Sequence, residues 1–161
     1  MKLILKLLVP AILMVLLTSC GGPDNGPGDD GDIVFGLFAG ECIGDNCVRI
    51  FKLTEEELFE DQNDIYPGTI FTGEQFDFEG LPNSKFELAE DFASFFPEEI
   101  LDETESRFGC PDCGDQGGIF LGWYENDTFR SSTIDVRKDE IPEYMHDFVD
   151  ELFVVMELLR E

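Results

Sequence analysis

The stretch Ile33-Val34-Phe35-Gly36-Leu37-Phe38-Ala39 decides how this chain folds. Asp32 precedes it and Gly40 follows it. It is too short for a helix of ordinary length. In an extended chain its side chains alternate between two faces, and both faces are apolar. A strand of this kind belongs in the interior of a sheet, so residues 33–39 are expected to form a buried central strand.

Downstream, residues 40–46 read as a loop. Residues 47–53 then alternate, with Val48 and Ile50 on one face and Cys47, Phe51 and Leu53 on the other. The two runs make a hairpin with Cys42 in its loop and Cys47 opening the return strand. Leu58-Phe59 begins a short third strand, residues 61–68 are turn-rich up to Pro67-Gly68, and residues 69–78 are expected to be a strand with an irregularity near Gly73. Ser84 with Glu87 three residues on has the form of a capping box. A helix is expected to follow it, burying Phe86, Ala89, Phe92, Ala93 and Phe96 and ending at Pro97. Residues 97–105 are acidic and irregular, with Ile100-Leu101 turned inward. Residues 119–125 and 129–136 form a strand pair around an Asn126-Asp127 turn, the second strand lying towards an edge because of Arg130 and Ser132. Pro142 opens a last helix whose stripe is Met145, Val149, Leu152, Met156 and Leu159, widened by Phe148, Phe153 and Val155. This order of elements predicts a single α+β domain over residues 33–161: an antiparallel β-sheet covered by two amphipathic helices.

Upstream, Lys2 and Lys6 precede an aliphatic run from Leu7 to Leu17, and small residues follow. A basic start, a short apolar core and a small-residue exit make residues 1–19 a signal peptide. The run is shorter than the ~20 residues of a comfortable membrane span. Its ending, Leu17-Thr18-Ser19-Cys20, resembles the lipobox of bacterial lipoproteins. That resemblance implies cleavage before Cys20, diacylglycerol on the Cys20 thiol and a fatty acyl group such as palmitate on the new amine. Gly21 stands where an inner-membrane retention Asp would stand, so the resemblance points to the outer membrane, periplasmic or surface-exposed. Residues 20–32 carry no large apolar side chain and read as a lipidated Cys with a flexible Gly/Asp-rich acidic tether. That tether lacks the Asp-x-Asp-x-Asp-Gly spacing of a calcium loop.

All 36 acidic residues lie after residue 19, with eight of the ten basic ones, so the mature chain carries a formal charge of −28. Such a surface repels phosphates, which excludes nucleic-acid binding. It attracts cationic proteins, for example lysozyme-like hydrolases, and divalent cations. Sixteen Phe, three Tyr and one Trp argue for a folded domain under the acidic skin.

With Cys20 lipidated, four cysteines remain as disulfide candidates: Cys42, Cys47, Cys110 and Cys113. They allow three pairings, all open at this level. Two disulfides outside the cytoplasm are the simplest account. Cys110-Pro111-Asp112-Cys113 has the spacing of a thiol–disulfide redox centre. Yet no helix follows to stabilise a thiolate, and Asp112 and Asp115 would raise a thiol pKa. Zinc on four thiolates is the competing chemistry, disfavoured by an oxidising compartment. His146 is expected to be a surface imidazole flanked by Glu143 and Asp150. The chain has no Gly-x-Ser-x-Gly, and no Lys follows its glycines to make a phosphate loop, so no catalytic, metal or cofactor motif stands out.

The loop Gly40-Glu41-Cys42-Ile43-Gly44-Asp45-Asn46-Cys47-Val48-Arg49-Ile50 is followed by a Phe-rich helix, a Gly/Asp-rich segment, a strand pair and a Pro-led helix. This succession resembles a group of small uncharacterised bacterial lipoprotein domains in which a strand ends in a Cys-Gly-x-Cys-type loop. The cysteines stand further apart here. The resemblance spans most of residues 33–161 and implies the fold, without an activity. The expected function is therefore a lipid-anchored, non-catalytic interaction or structural domain of the cell envelope.

Overall fold

The computed structural model describes residues 31–42, 47–68, 72–126 and 128–160. The leader at 1–19, the lipidation candidate Cys20 and the tether up to residue 30 lie outside the described residues, as do 43–46 of the first loop, 69–71 of the expected strand and Asp127 of the expected turn.

The domain is α+β. In chain order it contains β1 (Ile33–Phe38), β2 (Val48–Leu53), β3 (Leu58–Asp61), β4 (Phe78–Gly80), α1 (Asn83–Ala89), β5 (Arg107–Phe108), β6 (Gly118–Glu125), β7 (Thr128–Asp135) and α2 (His146–Arg160). The strands form one seven-stranded sheet in the order β4-β3-β2-β1-β6-β7-β5. All neighbours are antiparallel except β5 and β7. The doubly apolar strand β1 is the middle one, pairing with β2 on one side and β6 on the other.

Its two faces enter two separate cores. Ile33 and Phe35 join Phe51, Leu121 and Trp123 beneath the helices. Phe35 packs against Phe92 at 4.5 Å between ring centroids, and Phe92 against Phe148 at 5.2 Å. Val34 and Phe38 face the other way, with Val48, Ile50, Phe59, Phe78 and Phe120. Among the described residues no helix covers this second face. Part of the segment 62–77 does so instead: Tyr66 meets Phe38 edge-on at 5.2 Å, and Phe76 meets Phe120 at 5.9 Å. Asp61 fixes both ends of this segment, its Oδ1 accepting from the backbone N–H of Asn63 (3.3 Å) and Asp77 (2.7 Å). Its Oδ2 is buried and without a protein partner, and burial pushes the carboxyl above its ordinary value.

The α2 stripe is as the spacing predicts, with Met145, Val149, Leu152, Met156 and Leu159 all buried, and Phe148 and Val155 beside them. Several expectations are corrected. Phe153 does not widen the stripe; it is 42% exposed and lines an open cleft of about 490 Å³ with Leu37, Arg49, Val136 and Arg160. The helical start after Pro142 is a 3-10 turn, Glu143–Met145, before α2 proper. Of the expected strand over 69–78, the described residues 72–77 are not extended into the sheet and only Phe78 enters β4, because Gly73 takes a φ of +83° and the Gln75 side chain accepts the N–H and hydroxyl of Thr72. No capping box forms: Pro82 occupies the N-cap position, and Asn83 Nδ2 donates to Glu87 Oε1 at 2.7 Å. The α1 turns tighten into a 3-10 helix at Glu90–Phe95, which leaves Ala93 exposed while Ala89 and Phe92 stay buried. Ile100 is buried, but Leu101 is 37% exposed. β5, a two-residue parallel strand, was not legible in the pattern.

β1 and β2 approach so closely at Gly36 that a Cβ there would collide with the Arg49 backbone oxygen. Gly36→Ala is predicted to lower stability in urea by about 1–3 kcal/mol through forced displacement of the strand pair. An unchanged midpoint would contradict the β1–β2 register.

Candidate functional site

Both disulfides form, Cys42 with Cys47 and Cys110 with Cys113. Each closes a loop of its own rather than joining the two. With all four sulfurs oxidised, none is free as a thiolate for zinc. Among the described residues, no three His, Cys, Asp or Glu side chains gather where they could hold a metal ion.

What brings the two loops together is Asp112. Residues 110–113 form a tight turn in which Cys113 N–H donates to the Cys110 carbonyl at 3.2 Å. Pro111 fixes φ at the first central position, and Asp112 sits at the second with φ +58°, a conformation that Asp tolerates better than most residues. So placed, the Asp112 carboxylate accepts from Gly40 N–H at 2.7 Å, Tyr66 O–H at 2.8 Å and Gly117 N–H at 3.2 Å. Gly40 begins the loop that Cys42–Cys47 closes, and Ala39 N–H donates to the Cys47 carbonyl at 2.8 Å. One carboxylate thus ties the end of β1, the covering segment and the second disulfide loop into one corner of the sheet. Desolvation alone would raise this carboxyl, but the bonds from Tyr66, Gly40 and Gly117 together outweigh it and hold it below the usual carboxylate range. The Tyr66 hydroxyl moves up, first by desolvation and then by Asp112.

Beside this corner lies a cleft of about 350 Å³ on the second face. Its apolar lining includes Phe38, Phe120, Pro67 and Pro111, and Tyr66, Arg107, Asp112, Ser131 and Thr133 are among its polar groups. Arg107 is placed here by β5, whose pairing sets it opposite Thr133. Its guanidinium Nη2 donates to the Pro111 carbonyl at 3.4 Å and lies 3.4 Å from Cys113 Sγ and 3.9 Å from Cys110 Sγ. Asp135, buried in β7, accepts from Cys110 N–H at 2.9 Å. Tyr66 keeps its proton and Asp112 stays ionised across the neutral range, so these two offer hydrogen bonding rather than proton exchange.

His146 lies elsewhere and differs from expectation. It is half-buried, and its Nε2–H donates to the Lys138 carbonyl at 2.9 Å. Asp150 pairs with Lys138 instead, at 2.7 Å. Sequence reasoning named Cys110 and Cys113 but missed Tyr66 and Arg107. The available signal was the Pro-Asp turn, which aims Asp112 away from its own loop. No protein-family model matches the chain, and a search of curated proteins finds no match.

The Asp112 clamp carries its own pH signature. A carboxyl depressed in the folded state stabilises above the unfolded value, about 3.9, and that contribution is lost as pH falls through the folded value. Asp112→Asn is predicted to cost about 1 kcal/mol at pH 7. The gap to the parent protein should close on acidification, followed by urea unfolding at stepped pH; a gap independent of pH would contradict the clamp.

Proposed function

We propose that this chain is a lipid-anchored protein of the cell envelope, attached through Cys20, whose domain over 33–161 is a non-catalytic interaction module. The observation that carries this reading is the pair of disulfides in one small domain, which suits an oxidising compartment. It agrees with the leader and the lipobox-like ending at Cys20. Among the described residues no helix is long and apolar enough to cross a membrane. In this reading attachment rests on acyl chains, and the acidic tether lifts the domain from the bilayer, by the outer-membrane reading of Gly21.

The partner best suited to the module is a cationic protein. Arg49, Arg130, Arg137, Lys138 and Arg160 are each ion-paired to a carboxylate of the chain itself. Lys52 is buried over the rings of Phe59 and Phe78, at 4.7 and 5.3 Å. Little positive charge is left to offset the acidic excess outside. A basic hydrolase approaching this surface would be steered by its field and released by salt.

Cys20→Ala is predicted to move the protein from the detergent phase to the aqueous phase in a phase-partition assay. Partition unchanged by the substitution would refute the anchor. Hen-type lysozyme, as a basic probe, should be retained at low ionic strength and lost towards 1 M salt, where the Debye length falls to ~3 Å. No retention at low salt would refute the cationic partner while leaving the anchor standing.

A further inference from the structure

We propose that Cys110–Cys113 is a reversible thiol-exchange site, opened by an external dithiol, and that Cys113, against the Arg107 guanidinium, is the sulfur through which exchange runs. Both cysteines are exposed, so a donor can reach them. The sequence argument against redox chemistry rested on two acids in the loop and on the lack of a helix end to stabilise a thiolate. The structure alters both points. Asp112 is committed to Gly40, Tyr66 and Gly117. A fixed cation from another strand, Arg107, stands in for the helix end.

The two sulfurs are not equivalent. Arg107 Nη2 is 3.4 Å from Cys113 Sγ and 3.9 Å from Cys110 Sγ. Cys110 is the residue tied by its backbone to the buried Asp135 carboxylate. Among the described residues, the charged and titratable groups near the turn include Arg107 from β5, Asp135 from β7 with Arg137 beside it, Tyr66 from the covering segment, and Asp112 and Asp115 from the loop itself. Of these Arg107 is the cation whose guanidinium contacts the sulfurs, and it lies nearer Cys113. A negative charge on Cys113 is thereby favoured over one on Cys110.

The exchange balances as follows. One thiolate of the donor dithiol attacks Cys113 Sγ; the Cys110–Cys113 bond breaks, and Cys110 leaves and takes up a proton. The donor's second thiol, losing its proton, attacks the donor sulfur of the mixed disulfide and releases Cys113 as a thiolate beside Arg107. The donor departs as a disulfide, having given two electrons to the protein. Because Asp112 lies inside the bridged turn, opening it also frees the residue that ties the covering segment to β1.

The test uses the full mature protein, reduced with dithiothreitol, with iodoacetamide alkylation at each cysteine followed by peptide mass spectrometry from pH 5 to 9. Cys113 should react with a midpoint below the free-thiol value of ~8.5, and faster than Cys110 at pH 7. Arg107→Ala should slow Cys113 at pH 7 by about tenfold, equivalent to one pKa unit, and leave Cys110 unchanged. Arg107→Lys should restore most of the rate. Equal reactivity of the two cysteines in the parent protein would overturn the proposal without recourse to any variant. So would a Cys113 rate indifferent to Arg107→Ala in a folded protein.

Discussion

Val34 and Phe35 are adjacent in β1, point to opposite faces of the sheet, and are both fully buried. This is the constraint on which the rest of the domain depends. Fully burying one such side chain is worth about 1.5–3 kcal/mol, and neither face of β1 can be left to water without losing that. The sheet must therefore be covered twice. On one side the cover is regular: the 3-10 turn after α1 lays Phe92 on Phe35, and α2 lays Phe148 on Phe92. On the other it is irregular, supplied in part by Tyr66 and Phe76.

The irregular cover has consequences that a helix would not have. A helix satisfies its own backbone, whereas an irregular segment needs side chains to do so. Asp61 bonds the backbone near both ends of the segment, Asn63 donates to the Gln75 carbonyl at 2.8 Å, and Asp112 holds Tyr66 from a distant loop. Of these anchors, Tyr66 and Asp112 line the second-face cleft. The same Asp112 gathers the two disulfide loops at the Phe38 end of β1, opposite the Ile33 end where the strand begins. The two bridges and the clamped corner are thus arranged around one end of the sheet.

How much of this the residues disclose depends on the range of the interaction involved. β1, β2, β6, β7 and α2 are legible because their apolar periodicity is local and long enough to distinguish two faces. The buried stripe of α2 follows directly from four- and three-residue steps. The capping box at Ser84 fails because Pro82, two residues earlier, already sets the helix entry. Phe153 fits the periodicity yet stays half out, because α2 faces an open cleft there rather than sheet. β5 escapes notice because two residues show no period; only its pairing with β7 makes it a strand. The site is the least legible part. Cys110 and Cys113 declare themselves by spacing, but their partners Arg107 and Asp135, and the Asp112 contacts with Gly40 and Tyr66, are products of the fold.

Amide hydrogen exchange of the native protein, read strand by strand, tests the double cover most directly. If β1 is sealed on both faces, the amides of Val34 to Leu37 should exchange among the slowest in the molecule, near the rate set by global unfolding, while β4 and β5 at the edges exchange orders of magnitude faster. Exchange of β1 at the rate of the edge strands would mean that one face is open to water, and the architecture built on Val34 and Phe35 would be wrong.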